Sequence, residues 1–240
     1  MFKIRASAAN TIMTNNRAKT GMGETAKSYC KDWVLSQIYG RSKEFSSKYT
    51  KKGTLQENQS IELTSAFIGQ MLIKNADWFE NDYFTGTPDI ITANDVIDVK
   101  TSWDCFTFPY FETTAPEQYN DQLQVYMDLT GKRSAKLVYC LVDTPEFIVE
   151  REARSKAYDM GMDEVDLDLY DEVLKRHTFS NLPIELRIKS FDIEYNPERI
   201  EQIKNRVIEC RNYIDTVLNT TPQILTIHDK DVTVFDQLPG

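Results

Sequence analysis

The stretch 86–100, GTPDIITANDVIDVK, restricts the fold more than any other part of the chain. It reads as two short apolar strands joined by a turn at Ala93-Asn94-Asp95, the small polar composition that hairpin connections favour. Side chains alternate across a strand, so Asp98 and Lys100 share one face while Ile97 and Val99 share the other. Asp89 opens the first strand. Two carboxylates and an ammonium therefore converge at one end of a hairpin whose other face is apolar. Acid, acid and base stand where a divalent cation and a water can sit between them.

The neighbouring segments read as supports for this hairpin. Pro116 and Glu117 start a helix that runs to Leu129 and stops at Gly131, with an apolar stripe of Tyr119, Leu123, Tyr126, Met127 and Thr130. Gln122 falls within that stripe. A buried amide without partners costs about 1–3 kcal/mol, so Gln122 is either satisfied in the core or faces the hairpin. Residues 135–142 are nearly continuously apolar, as in a central strand covered on both faces. Strand, helix, strand suggests a crossover in an α/β layer. Upstream, the spacing predicts a helix over 54–73. One face carries Leu63, Ala66, Phe67 and Met71; another carries Ile61, Ile68 and Leu72, with Glu57 one turn before it. A carboxylate on such a stripe needs a cation or donors, unless it is exposed and simply favours the helix dipole.

The flanks are plainer. Residues 7–13 read as a short helix with Ser7 as N-cap, and 24–39 as a longer one stopped by Gly40. Residues 43–52 are polar and read as a loop. Residues 101–116 are irregular and aromatic, suited to core packing or to stacking on bases. Residues 145–177 read as two charged helices forming an arm outside the core, with little apolar periodicity. A strand returns at 184–195, and Asn196-Pro197 caps and opens a last helix reaching Leu218. The organisation expected is one domain over 1–240, with a helical insertion at 145–180 and a tail at 219–240.

Composition narrows the chemistry. A net charge of -9 argues against nucleic-acid binding over the whole surface but leaves room for one local groove. Lysine and arginine are denser from Lys3 to Lys52, as an electropositive wall beside an acidic site would require. The four cysteines form no C-x-x-C pair, so isolated buried thiols are expected rather than zinc or iron–sulfur ligation. With only two histidines, a His-dependent mechanism is short of candidates. No apolar run approaches a membrane span and no signal peptide is visible, so a soluble cytoplasmic protein without a membrane partner is expected.

Pro88-Asp89 followed by Asp98-Val99-Lys100 resembles the signature of the PD-(D/E)XK nuclease superfamily. Gly53-Thr54-Leu55-Gln56-Glu57 resembles the helix motif that donates the first acid in the phage lambda exonuclease and RecB-type (YqaJ-like) branch. Gln122-Leu123-Gln124-Val125-Tyr126 resembles that branch's Gln-x-x-x-Tyr motif. The resemblance covers about residues 50–142, and 184 onward resembles the C-terminal portion. It implies a restriction-endonuclease-like α/β core, a central mixed β-sheet flanked by helices. It implies Glu57, Asp89 and Asp98 as ligands of Mg²⁺ or Mn²⁺, two ions, with the Val99 carbonyl; Lys100 acting on the water; and Gln122 organising the site or touching nucleic acid. Ala6-Ser7-Ala8 resembles the segment whose serine holds a terminal 5′-phosphate, with Arg5 as a substitute for the family's companion arginine. Thr101, Ser102 and Tyr126 are further candidates for contact with nucleic acid.

The implied activity is a metal-dependent deoxyribonuclease, a 5′–3′ exonuclease on double-stranded DNA of the phage recombination type. DNA, a single-strand annealing protein and further copies of the chain are its implied partners, in the host cytoplasm if phage-encoded. Two other readings compete: a structure- or sequence-specific endonuclease on the same fold, and a non-catalytic nucleic-acid-binding module.

Overall fold

The computed structural model of the chain describes residues 1–43 and 47–220; beyond Thr220 the expected tail lies outside the described residues. In chain order the elements are β1 (Ile4–Arg5), a 3₁₀ turn (Ala6–Ala8), α1 (Ala9–Ile12), α2 (Glu24–Tyr39) and α3 (Lys48–Ile68). Then come β2 (Phe79–Glu80), β3 (Phe84–Gly86), β4 (Ile90–Ile91), β5 (Asp95–Thr101) and α4 (Glu117–Thr130). The chain continues through β6 (Ser134–Cys140), α5 (Glu146–Asp159), α6 (Leu167–His177), β7 (Ile188–Glu194) and α7 (Pro197–Thr220).

The central sheet has the order β4-β5-β6-β7 and is mixed. β5 and β6 are parallel, with Asp98 level with Leu137, while β4 and β7 run antiparallel on the two flanks. The expected hairpin and crossover are both present: β4 turns into β5 through Thr92, whose N–H bonds the Asp95 carbonyl, and α4 carries the chain to β6. Alternation assigns the two faces. Ile97, Val99, Val138 and Cys140 pack toward Ile61 of α3. Val96, Ala135, Leu137 and Phe191 pack toward Leu123 and Met127 of α4, with α2 and α7 behind. β6 is thus covered on both sides, as its unbroken apolar run requires.

A second sheet, ordered β1-β3-β2, was not expected from the sequence. Its strands are two or three residues long, too short for alternation to show.

α3 departs most from expectation. It begins at Lys48, where a loop was expected, and ends at Ile68, not 73. Ser47 and Thr50 form a reciprocal capping box, and Gly69 closes the helix at φ 74°. Of its two apolar stripes, Ile61 and Leu72 are buried with Ile68 packed beside them, as expected, but the other stripe is not. Phe67 and Met71 are exposed, while Lys52, Gln56, Ser60 and Thr64, each four residues apart, are buried. Each has a partner: Lys52 Nζ donates to the Trp103 carbonyl at 2.9 Å, and Gln56 Nε2 to the Asp143 carbonyl at 2.8 Å. Ser60 meets Thr101 Oγ1 at 2.8 Å, and Thr64 Oγ1 donates to the Ser60 carbonyl at 2.7 Å. The helix docks through these satisfied polar groups beside the apolar contact of Ile61.

Smaller corrections follow the same logic. Ser7 is not an N-cap; it lies inside the 3₁₀ turn and α1 starts without a side-chain cap. The first part of the expected last strand is a 3₁₀ turn, Ile184–Leu186. Cys105 is exposed, and the buried Cys30 and Cys210 are near enough between α2 and α7 to shift each other's titration, so these two thiols are not isolated. α5 and α6 share an apolar seam of Val149, Ala153, Ala157, Leu169 and Val173, more periodicity than the charged sequence suggested. Asn196 does cap α7, accepting from Arg199 N–H at 3.0 Å.

The buried Lys52 gives a test of this docking. Burial pulls its amine down to about 8, partly opposed by Asp143 and Asp104. From there to about pH 10 the unfolded lysine holds a proton that the folded one has lost, so this group makes stability rise with pH. Urea unfolding at pH 8 and 10 should show that rise in the wild type relative to Lys52→Met, which lacks it.

Candidate active site

Asp98 and Lys100 extend from β5 toward α4, as their two-residue spacing dictates. Asp98 is buried, at 1% exposure, and its two oxygens have different partners. Oδ1 accepts from Gln122 Nε2 at 2.9 Å. Oδ2 lies 2.7 Å from Lys100 Nζ but has no aligned hydrogen-bond donor. Gln122 also donates to the Tyr126 hydroxyl at 3.2 Å, which fixes the orientation of its amide. Lys100 Nζ stands 4.9 Å from the centre of the Tyr119 ring. Tyr119, Gln122 and Tyr126 recur at helical spacing, so one face of α4 closes over the acid and the base.

Asp89 immediately precedes β4, and its Oδ2 accepts from Val99 N–H at 2.8 Å. N–H and C=O of one strand residue point to the same side, so the Val99 carbonyl faces this edge too, beyond the point where β4 begins. Glu57 reaches the same region from α3, one turn before Ile61. Its Oε2 is paired with Lys74 Nζ at 2.7 Å. The three acids share one electrostatic field. Burial, then repulsion from Asp98, pushes the Asp89 carboxyl up to about 7, and Glu57 adds to it. Burial likewise pushes Asp98 up against the pull of Lys100, with Glu57 again adding repulsion. Burial works to lower Lys100, but the charges of Asp98 and Asp89 outweigh it and hold the ammonium above its ordinary range.

Among the described residues no three His, Cys, Asp or Glu side chains are grouped closely enough to hold a metal. Glu57 is paired with Lys74 and Asp98 with Lys100. The donor set nevertheless suits a hard divalent cation. It is all oxygen, it includes a buried carboxylate oxygen without an aligned donor, and its acids repel one another for want of positive charge.

Arg5 and Ser7 are exposed. Between them Ala6 is buried, close to Gly86, and Gly86 lies against the Tyr126 ring. Thr101 is engaged by Ser60, Ser102 is buried with an unpartnered hydroxyl, and Tyr126 is buried behind Gln122. Two participants were not foreseen. Tyr119 was legible as the residue one turn before Gln122. Lys74 gave no signal, because its pairing with Glu57 joins two segments 17 residues apart.

No family model and no curated protein matches the chain. Solved structures do. A phage-related exonuclease from Haemophilus somnus 129PT is 27% identical with a TM-score of 0.72, over 91% of this chain and 96% of that one. An alkaline exonuclease from Laribacter hongkongensis is 15% identical with a TM-score of 0.63, over 95% of this chain and 92% of that one. The same enzyme solved with dAMP gives the same TM-score at 16% identity. The likeness to exonucleases that the motifs suggest extends to the mixed α/β fold over nearly the whole chain.

Two variants test this geometry without any substrate. Asp89 holds a proton in the folded chain from about pH 4 to 7, a window in which the unfolded chain has lost it; stability is present below that window and lost as pH rises through it. Asp89→Asn should therefore melt above the wild type at pH 8 and lose this part of the pH dependence, read by thermal denaturation. A Cβ on Gly86 would stand 2.7 Å from Tyr126 Cε1. Gly86→Ala should cost about 1–3 kcal/mol, read by urea unfolding.

Proposed function

We propose that the chain is a metal-dependent DNA exonuclease, acting 5′–3′ on double-stranded DNA with Mg²⁺ or Mn²⁺, two ions. The observation that carries this reading is Asp98, buried between Lys100 and Gln122 with Asp89 just before the adjoining strand. The likeness to the phage-related exonuclease, which extends over nearly the whole of both chains, supports it.

The roles follow from position. Asp89, Asp98 and the Val99 carbonyl would hold the ions, with Glu57 completing the set once released from Lys74. When bound, such ions neutralise the scissile phosphate and supply a nucleophilic water at neutral pH. Lys100 is charged at neutral pH, since its carboxylate neighbours hold the ammonium above the ordinary range. Beside bound ions Lys100 would orient the attacking water, take its proton, or offset charge on the phosphate. Gln122 holds Asp98 Oδ1 in place. Ser7 and Arg5 are exposed, so they could meet a terminal 5′-phosphate, the contact that would set the direction of digestion.

A linear duplex ending in a 5′-phosphate, the same duplex ending in a 5′-hydroxyl, and a covalently closed circle separate the readings. With Mg²⁺ the phosphorylated end should be digested fastest and the circle left intact; a cut circle would favour an endonuclease instead. Lys100→Ala should stay folded and lose about 10²–10⁴ of the rate. Full activity in that variant would sink the assignment.

A further inference from the structure

Between the start of α3 and α5 lies a cleft that takes no part in this chemistry. It encloses about 540 Å³, within the range of about 300–1,000 Å³ common for ligand pockets. Lys48 and Lys51 line one wall, Phe147, Arg151 and Lys156 the other, and Trp103 the floor. Glu152 and Asp159 also face it, so four cations meet two carboxylates in a chain whose net charge is -9. Lys48 is shared between Glu152 at 3.4 Å and the Trp103 ring at 4.7 Å, and Lys156 pairs with Glu172 at 2.6 Å outside the cleft. Lys51 and Arg151 are exposed and form no ion pair among the described residues. Phe147 is 56% exposed, four residues before Arg151 on the same face of α5.

We propose that this cleft binds an unpaired stretch of a DNA strand, with Phe147 stacking on one base and Lys51 and Arg151 holding the adjoining phosphates. The identity of the polymer rests on the nuclease reading. An exposed aromatic ring set between cations is the composition of sequence-tolerant single-strand grooves. Paired bases are stacked on one another and offer Phe147 no face, so the occupant is single-stranded. The cleft is also within reach of the acids. Lys51 precedes Glu57 by six residues on α3, an axial rise of about 9 Å at ~1.5 Å per residue. One strand can thus pass from the acidic site to the cleft along a single helix, which gives the charged arm a function.

Fluorescence anisotropy with a labelled oligothymidine, in a metal chelator so that nothing is cut, tests the cleft directly. Phe147→Ala should weaken binding about tenfold. Arg151→Glu should weaken it and lower the salt slope by about one. Tyr158→Ala, an exposed aromatic on the same helix outside the cleft, should bind as the wild type does. Equal affinity for the wild type, Phe147→Ala and Arg151→Glu overturns the proposal. Digestion of a linear duplex run in parallel keeps the two readings apart. A wild type that digests DNA while those affinities stay equal loses only the cleft. A wild type that binds through Phe147 and Arg151 but digests nothing keeps the cleft and loses the nuclease.

Discussion

The burial of one carboxylate, Asp98, organises this molecule. A charge at 1% exposure costs several kcal/mol unless it is met by an opposite charge and by hydrogen bonds. Lys100 meets it from the same strand face and Gln122 from the helix above. Gln122 can do so because α4 is the crossover between two parallel strands and must lie across the sheet. Tyr126, one turn further along, braces Gln122 and in turn rests on Gly86, where any side chain would collide with its ring. The central sheet, the crossover helix and the small sheet that contains Gly86 are thus held to one another at the acid.

The compensation is incomplete, and that is where chemistry becomes possible. Asp89 and Glu57 add negative charge that Lys100 alone does not offset, so Asp89 and Asp98 are both pushed up. A fold selected for stability alone would replace such a cluster with apolar side chains. Keeping it leaves a pocket of hard oxygen donors in want of a cation, with Lys100 and Lys74 standing in as counter-charges.

α3 solves the related problem of how a helix can bring an acid to the end of a sheet without burying only apolar surface. Its inner face is a ladder of Lys52, Gln56, Ser60 and Thr64, each bonded to a carbonyl or hydroxyl. The same ladder joins the site to the arm: Lys52 bonds the Trp103 carbonyl, and the Trp103 ring packs edge-on against His177 at the end of α6. A polar interface of this kind fixes one register, because each donor has one place to go.

The sequence by itself determined the hairpin, the crossover and the cluster of Asp89, Asp98, Lys100 and Gln122. The four side chains lie within 34 residues, from Asp89 to Gln122, and strand alternation and helical spacing are local rules that position alone obeys. Only the tertiary structure decided the rest. The polar seam of α3 could not be read, since a buried polar residue is legible only once its partner, 41 to 87 residues away, is in view. The small sheet was hidden because strands of two or three residues carry no period. The pairing of Lys74 with Glu57, and the cleft between α3 and α5, exist only because folding brings segments together whose sequences carry no mark of one another.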